Sequence, residues 1–111
     1  MQKLKRQLTA AEVINNQMTE KSFTQQIADL SKMLGYKYYH PWLSIHSPRG
    51  FPDCCLVKGE RLIFAELKRE KGELSPHQVE WLDALKATGK AEVYVWRPSD
   101  IEKITDILRG L

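Results

Sequence analysis

The chain has 111 residues, 42% hydrophobic and 28% charged, with 17 Lys and Arg against 14 Asp and Glu for a formal net charge of +3. That length fits one globular domain over 1–111 with a small core, and excludes two. A charge of +3 is too mild to name a nucleic-acid partner, but its layout is uneven. Met1 to Ala11 holds Lys3, Lys5 and Arg6 with no acid, and Leu30 to Pro52 holds Lys32, Lys37 and Arg49 with no acid. Such stretches read equally as a basic face or as ordinary solvated surface.

Residues 1–18 are polar and read as an N-terminal arm or, from the capping-box form of Thr9-Ala-Ala-Glu12, a short helix. Thr19 is a good N-cap for a first long helix. Phe23, Ile27, Leu30 and Leu34 fall on one face of it, with Met33 beside them, and Gly35 ends it. YKYYHPWLSIHS is aromatic and β-branched and is broken by Pro41, which predicts strand material with a bend. Arg49-Gly50 marks a turn, and PDCCLVKGERLIFAELK (52–68) reads as two strands. Residues 69–75 form a charged loop. Ser75-Pro76 opens a second helix that Gly89 ends, AEVYVW (91–96) alternates as a strand, and Ser99 caps a last helix up to Gly110. The order α-β-β-β-α-β-α is that of an α/β domain on a small mixed sheet flanked by helices.

Cys54 and Cys55 are the only cysteines. Adjacent on a strand, they point to opposite faces and do not bond each other, and no CxxC spacing points to zinc. The expected compartment is a reducing cytoplasm. The N-terminus lacks an apolar signal-peptide core, and no apolar run approaches the ~20 residues that span a bilayer, so no membrane association is expected.

The run 52–68 carries the chemistry. Gly59-Glu60 as a two-residue type II′ loop pairs Lys58 with Arg61 and Val57 with Leu62. Paired residue numbers then sum to 119, which sets Asp53 across from Glu66, with Lys68 on the same face. Opposed carboxylates repel. Lys68 offsets this as a plain salt bridge, or a divalent cation does, since Mg²⁺ favours one or two carboxylates with phosphate and water. A one-residue slip would turn Asp53 to the other face.

With GFPD (50–53), RLIFAELK (61–68) and LSPHQVEWL (74–82), the chain resembles the VRR-NUC branch of the PD-(D/E)XK nucleases, over about residues 19–108. The resemblance implies the restriction-endonuclease-like core and a metal-dependent endodeoxyribonuclease. On this sequence it makes Asp53, Glu66 and the main-chain carbonyl of Leu67 ligands of Mg²⁺ or Mn²⁺. Lys68 orients or activates the attacking water and steadies developing charge. It also implies that Glu20, at the start of the first long helix, joins the metal site, where the bland alternative is an acid at a helix N-terminus. Gln78 matches the glutamine on the helix after the lysine. It is also the third residue after Ser75, so a capping box competes for its side chain. His46, Ser47 and Arg49 before the GFPD turn, and Arg69 and Lys71 after Lys68, are candidate DNA contacts. Trp42, Trp81, Trp96, Tyr38 and Tyr39 are read as core.

The resulting expectation is a structure-specific endonuclease for branched DNA, four-way (Holliday) junctions first, acting as a homodimer because a junction needs two symmetric cuts. The rival readings are a flap or single-strand nuclease, a nickase, or a DNA-binding module without catalysis. A compact stand-alone domain of this kind also suits a phage-encoded protein in a bacterial host.

Overall fold

A computed structural model describes residues 6–41 and 48–111. Helix α1 (Ala10–Gln17) starts at Thr9, whose Oγ1 accepts the Glu12 amide at 3.1 Å. The expected capping box is only half made. The Glu12 carboxylate pairs with Arg6 at 2.9 and 2.8 Å instead of returning to the cap. Helix α2 (Glu20–Met33) starts at Thr19, as expected, with the Ser22 amide on Thr19 Oγ1 at 3.0 Å. Phe23 and Ile27 are fully buried on its inner face, and Leu30 and Leu34 half-buried. Met33 does not join them and is 80% exposed. Four residues on from Ile27 it is Ser31 that continues the buried face, donating its hydroxyl to the Ile27 carbonyl at 2.6 Å.

The sheet has four strands, β1 (Lys37–Tyr39), β2 (Cys54–Lys58), β3 (Arg61–Leu67) and β4 (Glu92–Trp96), in spatial order β1-β2-β3-β4. The first two pairings are antiparallel, and β4 runs parallel to β3. β1 takes up the start of the aromatic stretch, and residues 42–47, where the expected strand material would continue past Pro41, lie outside the described residues. The β2–β3 hairpin has the expected register, from Lys58↔Arg61 to Cys54↔Ala65. Gly59 has φ +58° and among the described residues no other residue type has a positive φ, so only the first loop position is left-handed, as a type II′ turn requires.

Helix α3 (Pro76–Ala87) joins β3 to β4, and α4 (Ile101–Arg109) closes the domain. Ser99 does not cap α4. A 3₁₀ turn (Pro98–Asp100) intervenes, and the Asp100 carboxylate takes the Arg97 amide at 2.9 Å. Ile63, Ala65 and Leu67 alternate onto one face of β3 and meet Phe23, Ile27, Leu56, Ile104 and Leu108 in a single core. Each large side chain buried there contributes about 1.5–3 kcal/mol. Both cysteines are free, Cys54 inside this core and Cys55 half-buried. Among the described residues no helix is long and apolar enough to cross a membrane.

The hairpin is anchored at both ends. At the turn, Arg61 forks onto Glu92 at 2.8 and 2.7 Å and donates to the Tyr36 hydroxyl and the Ile107 carbonyl. At the other end, Gly50 lies at φ +91° against the first turn of α3, where an added Cβ would stand 2.4 Å from the His77 carbonyl carbon. Phe51 then packs edge-on to Phe64 and Trp81, with ring centroids 5.8 and 5.1 Å away.

The two glycines separate conformational strain from collision. Gly59→Ala faces open space, so it costs only the left-handed backbone, about 1–2 kcal/mol. Gly50→Ala has the same backbone strain and must also push back α3. Chemical denaturation is expected to show Gly50→Ala as clearly the more destabilising of the two.

Candidate active site

The ladder between β2 and β3 ends at Cys54↔Ala65, and the next two residues on each strand make the site. The amide of Leu67 faces the β2 side with no strand left to receive it. The Asp53 side chain takes that place, its Oδ2 accepting the Leu67 amide at 2.8 Å. A strand residue's N–H and C=O point to the same neighbour, so the Leu67 carbonyl faces the Asp53 side as well. Pro52, fully buried, fixes the approach to Asp53.

Glu66 is the unusual member. It is 1% exposed, next to Val95 of β4 in an apolar strand. Its Oε1 accepts the Gln78 side-chain amide at 3.2 Å. Its Oε2 is buried with no hydrogen-bond partner among the described residues. Burial first, and then the Asp53 carboxylate beside it, push the Glu66 carboxyl well above the usual range, while the charge of Lys68 pulls weakly the other way. An orphaned oxygen on a buried acid is costly without a partner.

Lys68 continues the strand's line, its amide on the Trp96 carbonyl at 3.0 Å and its side chain 12% exposed. Its Nζ stands 3.9 Å from Glu20, which is half exposed at the first turn of α2. Glu20 thus reaches the site as a counter-charge to Lys68. Among the described residues no three His, Cys, Asp or Glu side chains form a ready-made metal cage. Gln78 resolves a competition left open by the sequence. Its Oε1 accepts the Ser75 amide at 2.8 Å while its Nε2 reaches Glu66, so one amide group both caps α3 and touches the site.

Among solved structures, a chain described as a VRR_NUC domain matches with TM-score 0.64 at 22% identity, over 80% of this chain and 97% of its own length. The chain has the VRR-NUC fold. No family model and no curated protein matches the sequence.

Within this VRR-NUC fold, two oxygen donors from carboxylates and one strand carbonyl suit a hard divalent cation, which takes the remainder of its ligands from water or substrate. The orphaned Glu66 oxygen supports that fit. A cleft of about 540 Å³ opens beside Asp53, lined also by Glu20, Tyr38 and His40. The ring of His40 bonds through Nδ1 to the Asp53 carbonyl oxygen at 2.6 Å. Sequence reasoning missed His40. The register that brings it there, Tyr39↔Cys55, closes a long β1–β2 connection whose length hides the pairing.

The expected DNA contacts scatter around this centre. Arg49 is exposed and lines a second cleft of about 470 Å³, together with His77, Glu80 and Trp81 of α3. It does not line the cleft that holds Asp53. Arg69 and Lys71 are exposed on a loop clasped by Arg97, whose Nη1 donates to the carbonyls of Arg69 (2.9 Å), Glu70 (3.3 Å) and Gly72 (2.6 Å). His46, Ser47 and Trp42 lie outside the described residues. Trp96 is core as expected, whereas Tyr39 is 64% exposed and Trp81 and Tyr38 are half-buried.

The Glu66 carboxyl makes a prediction about the metal-free protein. Its folded pKa is raised above the unfolded one, so the folded state binds the extra proton between the two. Stability is therefore fullest below the ordinary carboxylate range and falls as pH rises towards the raised value. Glu66→Gln removes that dependence. Denaturation in chelator is expected to show little difference from wild type near pH 4.5 and a stabilised variant at pH 8.

Proposed function

We propose that this protein is a divalent-metal-dependent DNA endonuclease that hydrolyses phosphodiester bonds. The observation that carries the reading is the buried, half-unpartnered Glu66 carboxyl next to Asp53, with the Lys68 ammonium in reach of both the site and solvent. A Mg²⁺ or Mn²⁺ held by Asp53, Glu66 and the Leu67 carbonyl would polarise the phosphodiester and make a bound water more acidic. The chain's own groups do the remainder. Lys68 places a fixed positive charge where negative charge grows during phosphoryl transfer. Glu20 stands beside Lys68 as its counter-charge. Gln78 fixes the rotamer of Glu66 and so the direction of its other oxygen. Arg69 and Lys71, and Arg49 in the second cleft, supply phosphate contacts that position the strand without reading its sequence.

In this reading the substrate is branched DNA, with four-way junctions preferred. Each chain offers one carboxylate cluster, and symmetric resolution of a junction takes two, so the active form is a C₂ homodimer. A flap or single strand is the second reading, favoured by the cleft of about 540 Å³ beside Asp53, which suits a group of nucleotide size better than a duplex.

Three single substitutions test the site. Asp53→Ala, Glu66→Ala and Lys68→Ala are each expected to lower cleavage by at least about 10²-fold, while binding to the same DNA stays close to wild type. Cleavage at wild-type rate in all three would overturn the assignment. Wild type that binds branched DNA and never cuts it with Mg²⁺ or Mn²⁺ would instead make this a binding module. Cutting of four-way, flap, nicked and linear duplex DNA, compared side by side, ranks the substrates. Light scattering at working concentration is expected to give the mass of two chains, and a monomer that still resolves junctions symmetrically would remove the dimer.

A further inference from the structure

We propose that the cleft beside Asp53 seats one nucleotide of the strand flanking the bond to be cut, with Nε2 of His40 as its polar contact. This rests on the nuclease reading and names a part of the substrate site that the carboxylate cluster does not supply. The cleft runs between α2, through Lys21, Thr24 and Ala28, and the end of β1, through Tyr38 and His40, with the acidic Asp53 and Glu20 also in its lining. At about 540 Å³ it has the capacity of a small-ligand pocket, enough for a nucleotide and too small for a double helix to enter. Lys21 brings a cation to it, as a phosphate-bearing strand requires. Burial, aided by Cys54 and Asp53, holds the Tyr38 phenol above its ordinary range, which keeps that wall uncharged.

The chemistry of one hydrogen bond selects His40. A backbone carbonyl only accepts, so in the 2.6 Å bond between Nδ1 and the Asp53 oxygen it is Nδ1 that carries the proton. That bond fixes the ring in one tautomer and one orientation. Nε2 is the remaining polar atom of an exposed ring that lines the cleft. In the neutral ring it accepts from a base or sugar donor, and in the charged ring it donates to phosphate. The bland alternative is that His40 only pins the backbone of Asp53.

Asparagine separates the two. His40→Asn keeps a side-chain N–H close to the place of Nδ1 and removes Nε2, whereas His40→Ala removes both. Thr24→Phe fills the cleft from α2 without touching His40. Affinity for a short fluorescein-labelled single strand is read by anisotropy in chelator, with thermal stability and the KM for cleavage in Mn²⁺ alongside. His40→Asn is expected to melt with wild type yet bind on the order of tenfold more weakly, with KM raised by a similar factor. Thr24→Phe is expected to weaken binding likewise. If both variants bind as wild type does, the cleft assignment falls and the nuclease reading stands. If His40→Asn loses stability and affinity together, as His40→Ala does, the role is structural and the proposal falls. A wild type that neither binds nor cuts DNA overturns both.

Discussion

Glu66, on the inner strand β3, is 1% exposed, with one carboxyl oxygen bonded to Gln78 of α3 and the other without a partner among the described residues. An acid in that position either keeps its proton or finds a positive partner, because burial penalises the bare charge. The surrounding structure supplies both options. Burial and Asp53 favour the proton, while Lys68 favours the charge. Without a bound cation the proton wins, because burial and Asp53 outweigh Lys68. Such opposed pulls are not expected of a residue kept for stability alone, since a leucine there would cost nothing in charge burial.

The hairpin was legible because its rule is short. One glycine at the first loop position sets the turn type, the turn sets the register, and the register brings residues fourteen apart at one end together. The long helices were equally readable from spacing at Phe23 and Ile27. What the sequence hid was of another kind. Glu12 turned to Arg6, and Asp100 rather than Ser99 organised the start of α4, because short polar side chains have several partners within reach and pattern does not rank them. His40 and the Arg97 clasp depend on segments distant along the chain, where no local period carries information.

Several groups at the site carry two duties. The Asp53 carboxylate closes the end of the hairpin with one oxygen, and the Gln78 amide caps a helix with its oxygen while its nitrogen bonds Glu66. The same atoms therefore contribute to folding and to the site's geometry. Substitutions there change both, and a lost activity is informative only beside a measured stability. His40 differs in this respect, because its two ring nitrogens divide the duties between them.

The tip of the hairpin lies roughly 20 Å from Asp53, six residues away at about 3.3 Å each. Between them β2 is a rigid ruler whose zero mark is Gly59. A change of length along this strand thus acts at a distance on the chemistry. One residue added to β2 between Cys54 and Gly59, with the two-residue turn kept, would set Cys54 across from Glu66 where Asp53 now stands, with every residue of the site still encoded. Along β2 an exposed side chain can change without moving Asp53, whereas a change of strand length moves it.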